Sequence, residues 1–166
     1  MSDFIFYSWQ SDLLPKFNRY FIGKAIEQAI KDLSAELRLE EAQREISLHF
    51  DEGTQGVPGS PDIASTILEK IDRCRMFVAD LTFVGTNQGG ESLPNPNVLI
   101  EYGYALKSKG SQRIIGVLNT TYGVPENLPF DLRHKRVTVR YEARPDDSAE
   151  KLRSSKEKLT QNLKQP

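Results

Sequence analysis

The sequence predicts an α/β fold in which a parallel sheet is covered by helices on both faces. Its strand candidates, such as Phe4-Ile5-Phe6-Tyr7 and the run from Arg113 to Leu118, are near-continuously apolar, as strands buried on both faces are. Segments with helical periodicity separate these runs, the spacing that crossovers between parallel strands require. Polar residues (Ser8, Asp51, Asp80, Thr82 and Asn119) follow the apolar runs, which gathers them on one edge of the sheet.

Phe4 to Tyr7 reads as a buried strand feeding the polar loop Ser8-Trp9-Gln10-Ser11-Asp12. Phe17 to Leu37 is a helix with Phe21, Ala25, Ala29 and Leu33 on its apolar face. Ile46 to Phe50 alternates and ends at Asp51, a strand with one exposed face. Gly53 to Gly59 is a loop that stops at a helix start, with Ser60 as cap, Pro61 first and Asp62 at the positive end. Ile63, Ile67, Leu68 and Ile71 supply that helix's apolar stripe.

Met76 to Ala79 is a third strand that delivers Asp80 and Thr82 at its end, and Gly85 to Asn95 reads as a polar loop. Asn95 then serves as N-cap and Pro96 as first residue of a helix whose apolar arc is Val98, Tyr102, Ala105 and Leu106. A fourth strand covers Arg113 to Leu118. Tyr122 to Arg136 is irregular, Val137 to Tyr141 is a fifth strand, and Ala149 to Leu163 closes the chain as a weakly amphipathic helix. The resulting order suits a flavodoxin-like sheet of five parallel strands, 2-1-3-4-5, with ligands outside the carboxyl ends of the strands. One domain over residues 1–166 is expected, with the Lys- and Gln-rich tail after about residue 155 frayed.

Composition narrows the function. The chain is 38% hydrophobic and 27% charged with a formal net charge of −1, which gives no electrostatic case for nucleic acid or an anionic membrane. A single cysteine, Cys74, excludes an internal disulfide framework, and with His49 and His134 far apart no metal-ligand spacing is visible. No metal and no cofactor are therefore expected. The N-terminus lacks the pattern of a signal peptide and no run approaches the ~20 apolar residues of a membrane span, so a cytoplasmic protein is expected.

Glu101 is the residue on which the function turns. It sits on the edge of an apolar arc, beside Asn97 one turn earlier and small Ala105 one turn later. A carboxylate there is a cap or solvated group, or it opens into the ligand crevice and stabilises positive charge on an anomeric carbon. Trp9, the sole tryptophan, either plugs one end of the core or stacks on a planar ring. Gly53 to Gly59 lacks the lysine of a phosphate-binding loop; it is a plain loop, or an anion site formed by N–H groups leading into a helix. Asp51 and Asp80, expected at the ends of neighbouring strands, cap turns or bind Mg²⁺ or a ribose.

Phe4-Ile-Phe-Tyr-Ser-Trp resembles the first box of Toll/interleukin receptor (TIR) domains. The segment from Cys74 to Leu118, with Asp80-Leu-Thr followed by Asn95-Pro-Asn-Val, Glu101 and Gly103-Tyr-Ala, is similar to bacterial TIR-like nucleotide-binding proteins. The resemblance spans roughly residues 4–141. It implies hydrolysis of NAD⁺, as substrate and not as cofactor, at the nicotinamide–ribose bond, with Glu101 as the catalytic carboxylate. It further implies that the loops Ser8 to Asp12 and Asp51 to Gly59 border the pocket, and a role in anti-phage defence or signalling. On this reading Ser8 and Trp9 hold the nicotinamide end and Asn97 and Asp80 contact ribose, while the open cleft and the long loops Gly53–Gly59 and Gly85–Asn95 make activity depend on self-association or an activating partner. Enzymatic TIR domains often carry tryptophan four residues before the glutamate, where this chain has Asn97. The Asn97…Glu101…Gly103…Ala105 pattern is also similar to nucleoside deoxyribosyltransferases, and a non-catalytic nucleotide-binding scaffold uses the same surface.

Overall fold

A computed structural model describes residues 4–40, 49–52, 62–133 and 138–165 of the chain. Its elements run β1 (Phe4–Ser8), α1 (Arg19–Glu40), β2 (His49–Glu52), α2 (Ile63–Arg73), β3 (Met76–Asp80), β4 (Phe83–Thr86) and β5 (Ser92–Pro94). They continue with α3 (Pro96–Lys109), β6 (Ile114–Asn119), α4 (Phe130–Arg133), β7 (Thr138–Tyr141) and α5 (Ala149–Lys164). The principal sheet has the order β2-β1-β3-β6-β7, and every neighbouring pair is parallel. The fold is α/β.

The apolar character of the strands follows from this position. Strand side chains alternate between faces, so Tyr7 and Val78 join one core while Phe6, Phe77 and Ala79 join the other. The first core is closed by Phe21, Ile22, Ala25 and Ile26 of α1 and Leu159 and Leu163 of α5. The second is closed by Ile71 of α2 and by Val98, Tyr102 and Ala105 of α3. β1 starts the chain in the sheet's interior, between β2 and β3, so its C-terminal residue is surrounded on all sides. Ser8 is 2% exposed.

Several expectations need correction. Gly85 to Asn95 is not simply a loop: β4 and β5 pair as an antiparallel hairpin, whose turn is closed by Asn87 accepting from the Glu91 N–H at 2.9 Å. At the base of this hairpin Phe83 packs against Gly123, where a Cβ would come within 2.6 Å of the ring and φ is +145°, so only glycine fits. α2 is capped by Asp62, whose carboxylate accepts from the Ala64 N–H at 3.3 Å. The first residues of that expected helix, Ser60 and Pro61, lie outside the described residues, as does the Gly53 to Gly59 loop.

The expected strand from Ile46 begins outside the described residues and extends through Asp51 to Glu52. The tail does not fray at residue 155: α5 continues to Lys164 because Leu159 and Leu163 are buried against α1, each worth about 1.5–3 kcal/mol of apolar burial. The irregular stretch after Tyr122 holds a 3-10 turn at Pro125–Asn127 and the single turn of α4. Cys74 is a buried free thiol whose pKa is pushed up by burial, in keeping with a core residue.

Asn119, the last residue of β6, is fully buried and ties three elements together. Its Nδ2 donates to the Ala143 carbonyl at 3.0 Å and to the Asn18 Oδ1 at 3.3 Å, and its Oδ1 accepts from the Thr121 N–H at 3.1 Å and the Ala143 N–H at 3.2 Å. Replacing it with alanine strands buried backbone donors, at about 1–3 kcal/mol each. We predict that Asn119→Ala lowers the unfolding free energy by on the order of 3 kcal/mol in a denaturant titration. A loss below about 0.5 kcal/mol, the scale of an ordinary surface substitution, would show that the network is redundant.

Candidate functional site at the carboxyl end of the central strand

The sequence places Asn95-Pro96 at the start of α3, and the geometry explains why. Asn95 Oδ1 accepts from the Asn97 N–H at 2.9 Å and the Val98 N–H at 3.2 Å, satisfying two of the helix's orphan donors. Pro96, at the first helical position, has no N–H to satisfy. The same Asn95 donates through Nδ2 to Asp12 Oδ2 at 2.6 Å. One side chain thus caps α3 and fastens the loop that follows β1 to it.

Starting α3 there turns Glu101 toward the end of β1. Ser8 Oγ donates to Glu101 Oε2 at 2.5 Å, a short contact for a hydroxyl on a carboxylate. Glu101 is half-buried, and burial pushes its pKa above the ordinary glutamate range; the Ser8 hydroxyl, bonded to the charged form, pulls the other way without cancelling the rise.

Ser8, Trp9, Asn97 and Glu101 line one cavity of about 210 Å³, together with Gln10 and Ile67 of α2. Two larger hollows lie along α5, one of about 500 Å³ beside the carboxyl end of β7 and one of about 660 Å³ between α1 and α5. Their linings are polar surface side chains, several already paired, such as Lys151 with Asp147 at 2.7 Å. The smaller of the two has Tyr141 and the half-buried Glu142 on its wall, but Glu142 is paired with Arg144 at 3.0 Å and Lys151 at 3.2 Å, whereas the Glu101 carboxylate is bonded by the neutral Ser8 hydroxyl.

Trp9 lies between the core and the cavity. Its indole packs partly on the core formed with α1 and α5 and also lines the cavity. The Arg19 guanidinium lies over the ring at 3.4 Å from its centroid, so a planar ligand has only the opposite face or the edge.

The remaining residues singled out in the sequence are placed differently. Asp80 does not reach the cavity: it is fully buried, with Oδ2 accepting from Gln10 Nε2 at 3.1 Å and Oδ1 from the Thr82 N–H at 3.1 Å. Burial raises its pKa to about 6 against the pull of Thr82 and Gln10. Asp12 is exposed and meets the site only through Asn95. Asp51 lies on β2 opposite Phe6, and its side chain lies outside the described residues. β1 separates β2 from β3, so Asp51 and Asp80 do not end neighbouring strands. Among the described residues no group of three or more His, Cys, Asp or Glu side chains could hold a metal ion.

Ile67 carries in the sequence only the signal of a core stripe, and Gln10, part of the expected pocket loop, carries no sign of its bond to Asp80 seventy residues away. Among the described residues no helix is long and apolar enough to cross a membrane.

No protein-family model and no curated protein matches the chain. Among solved structures, a flavodoxin-like domain from Synechococcus sp. is 13% identical with a TM-score of 0.42, covering 98% of this chain and 95% of that one. A diflavin flavoprotein A3 from Nostoc sp. is likewise 13% identical with a TM-score of 0.43, covering 99% of this chain and 91% of that one.

The Ser8–Glu101 bond makes a prediction independent of any reaction. The Glu101 carboxyl should titrate above the usual glutamate range in a ¹³C NMR pH series. Ser8→Ala removes a donor that favours the ionised form, so it should raise that pKa further. An unchanged or lowered value in Ser8→Ala would mean that the hydroxyl does not bond the carboxylate in solution.

Proposed function

We propose that this chain is a TIR-like domain of flavodoxin-like type that cleaves the nicotinamide–ribose bond of NAD⁺, as an effector of anti-phage defence or signalling. The observation that carries the reading is Glu101: a half-buried carboxylate, held by Ser8, that opens into a cavity walled by an indole. A carboxylate in that setting is suited to stabilise an oxocarbenium-like transition state, where positive charge develops on the anomeric carbon.

In this reaction the C1′–N bond breaks and its electron pair goes to the pyridinium nitrogen. Nicotinamide therefore leaves as a neutral base and needs no general acid. Glu101 faces the ribosyl cation until water adds to C1′ and releases a proton, or until an internal nucleophile closes a cyclic product. On this reading Asn97, at the exposed rim, bonds ribose hydroxyls, and Ser8 and Trp9, which line the same cavity, hold the nicotinamide end. Asp80 is not given a ribose contact, because both its oxygens are engaged inside the protein.

The cavity volume supports one end of the substrate rather than all of it. About 210 Å³ falls below the ~300–1,000 Å³ of ordinary ligand sites, so a dinucleotide must extend beyond it. A neighbouring subunit or an activating partner that closes over the rest would complete the site. Deoxyribosyl transfer is less well supported, since the second acid it would set against the base is best sought at Asp80, which is sealed from the cavity.

Two measurements test the reading. Glu101→Gln should keep the melting temperature and lose nicotinamide release from NAD⁺ by at least ~100-fold, the scale of one preorganised electrostatic group. Near-normal turnover in a folded variant would reduce Glu101 to a structural residue. Specific activity should also climb steeply with protein concentration. A flat, high value per molecule would mean that each monomer already holds a complete site.

A further inference from the structure

Three cross-links hold the loop after β1: Ser8 to Glu101, Asp12 to Asn95, and Gln10 to Asp80. The first two lie in or beside the cavity. The third is wholly inside the protein, with Gln10 2% and Asp80 0% exposed, and the site as described so far does not use it. We propose that Asp80 is a positioning residue, which fixes the cavity wall formed by Ser8 and Trp9 by orienting the side chain of Gln10.

Donor and acceptor parity fixes the identity of the two side chains. At one end of the chain the Leu13 N–H donates to Gln10 Oε1 at 2.9 Å. At the other the Thr82 N–H donates to Asp80 Oδ1 at 3.1 Å. Both ends are backbone donors and cannot reverse. The two side chains between them must therefore present an acceptor outward at each end and still match each other in the middle. One amide and one carboxylate satisfy this: Gln10 Nε2 donates to Asp80 Oδ2 at 3.1 Å.

Two amides cannot, because both oxygens are used at the ends and NH₂ faces NH₂. Two ionised carboxylates cannot, because oxygen faces oxygen and two charges meet in a buried site; that pair matches only by binding one shared proton. The exchange of roles can. A carboxylate at position 10 accepts from Leu13 N–H and from an amide at position 80, whose oxygen accepts from Thr82. This identity-dependent pattern belongs to Gln10, whose neighbours in sequence are the cavity residues Trp9 and Ser11.

The test is a four-member set at a pH well above 6, where Asp80 is ionised: the natural protein, Asp80→Asn, Gln10→Glu and the double variant. Trp9 is the only tryptophan, so its emission reports the loop directly and without reference to any reaction. The activity arm rests on the NAD⁺-cleavage reading and follows kcat and KM separately.

Asp80→Asn should shift Trp9 emission and lower kcat about 10–100-fold, the scale of a small misplacement of reacting groups, and Gln10→Glu should do the same as the pH is raised until the acid pair gives up its shared proton. The double variant should return emission to the natural value and recover most of the lost kcat. Natural emission in both single variants, or a double variant no better than the worse single, overturns the proposal. If the single variants fail to fold, a folded double variant with natural emission upholds it and an unfolded one overturns it. If the natural protein releases no nicotinamide at any concentration, the NAD⁺ reading falls while the emission pattern still decides the role of Asp80.

Discussion

The geometry of the site depends on how the loop after β1 is held. β1 lies inside the sheet with both faces buried, so its last residue emerges into a ring of neighbouring elements rather than into water. Ser8 is bonded to α3, Gln10 to the end of β3, and Asp12 to the residue that caps α3. Each tie joins segments at least 70 residues apart in sequence. A shift of α3 by one residue would break the Asn95 cap and the Glu101 contact together, which couples the start of the helix to the shape of the cavity.

Two acids near this edge have opposite environments. Asp80 is sealed, with every oxygen bonded to an internal donor, and its burial is tolerated because those bonds compensate it. Glu101 has one oxygen on Ser8 and opens into a cavity. Both pKa values rise through desolvation, but only Glu101 can face a ligand. The difference assigns Glu101 to the proposed chemistry and Asp80 to support, as environments that separate like residues commonly do.

Local signals were legible where the physics is local. Asn95-Pro96 reads as a helix start from side-chain capping alone, and the structure has Asn95 in that role. The apolar strands and the parallel α/β character follow from runs without alternation, which only two-sided burial explains. The β4–β5 hairpin was missed because a polar stretch with Gly89-Gly90 was read as loop, although Asn87 and the glycines flanked by Phe83-Val84 and Leu93 carry a hairpin signal.

For Asp80 the sequence leaves a turn cap and a ribose contact open; its Oδ1 accepts from the Thr82 N–H of the following turn, and no spacing rule connects it to Gln10, the donor to its other oxygen. Asn119 was likewise read only as a polar strand end, whereas it knots β6 to the segments after β7 and before α1. Pairings across the sheet edge were the part that one sequence could not disclose.

The central claim is that the cavity at Glu101 serves a ribosyl cation formed from NAD⁺ rather than one formed from a deoxyribonucleoside. The most direct measurement is a proton NMR time course of the natural protein at high concentration, with NAD⁺ in one sample and a deoxyribonucleoside plus a second free base in another. The account predicts free nicotinamide accumulating one-for-one with loss of NAD⁺, and no exchange of bases in the second sample. Base exchange on deoxyribose with NAD⁺ left intact would contradict it.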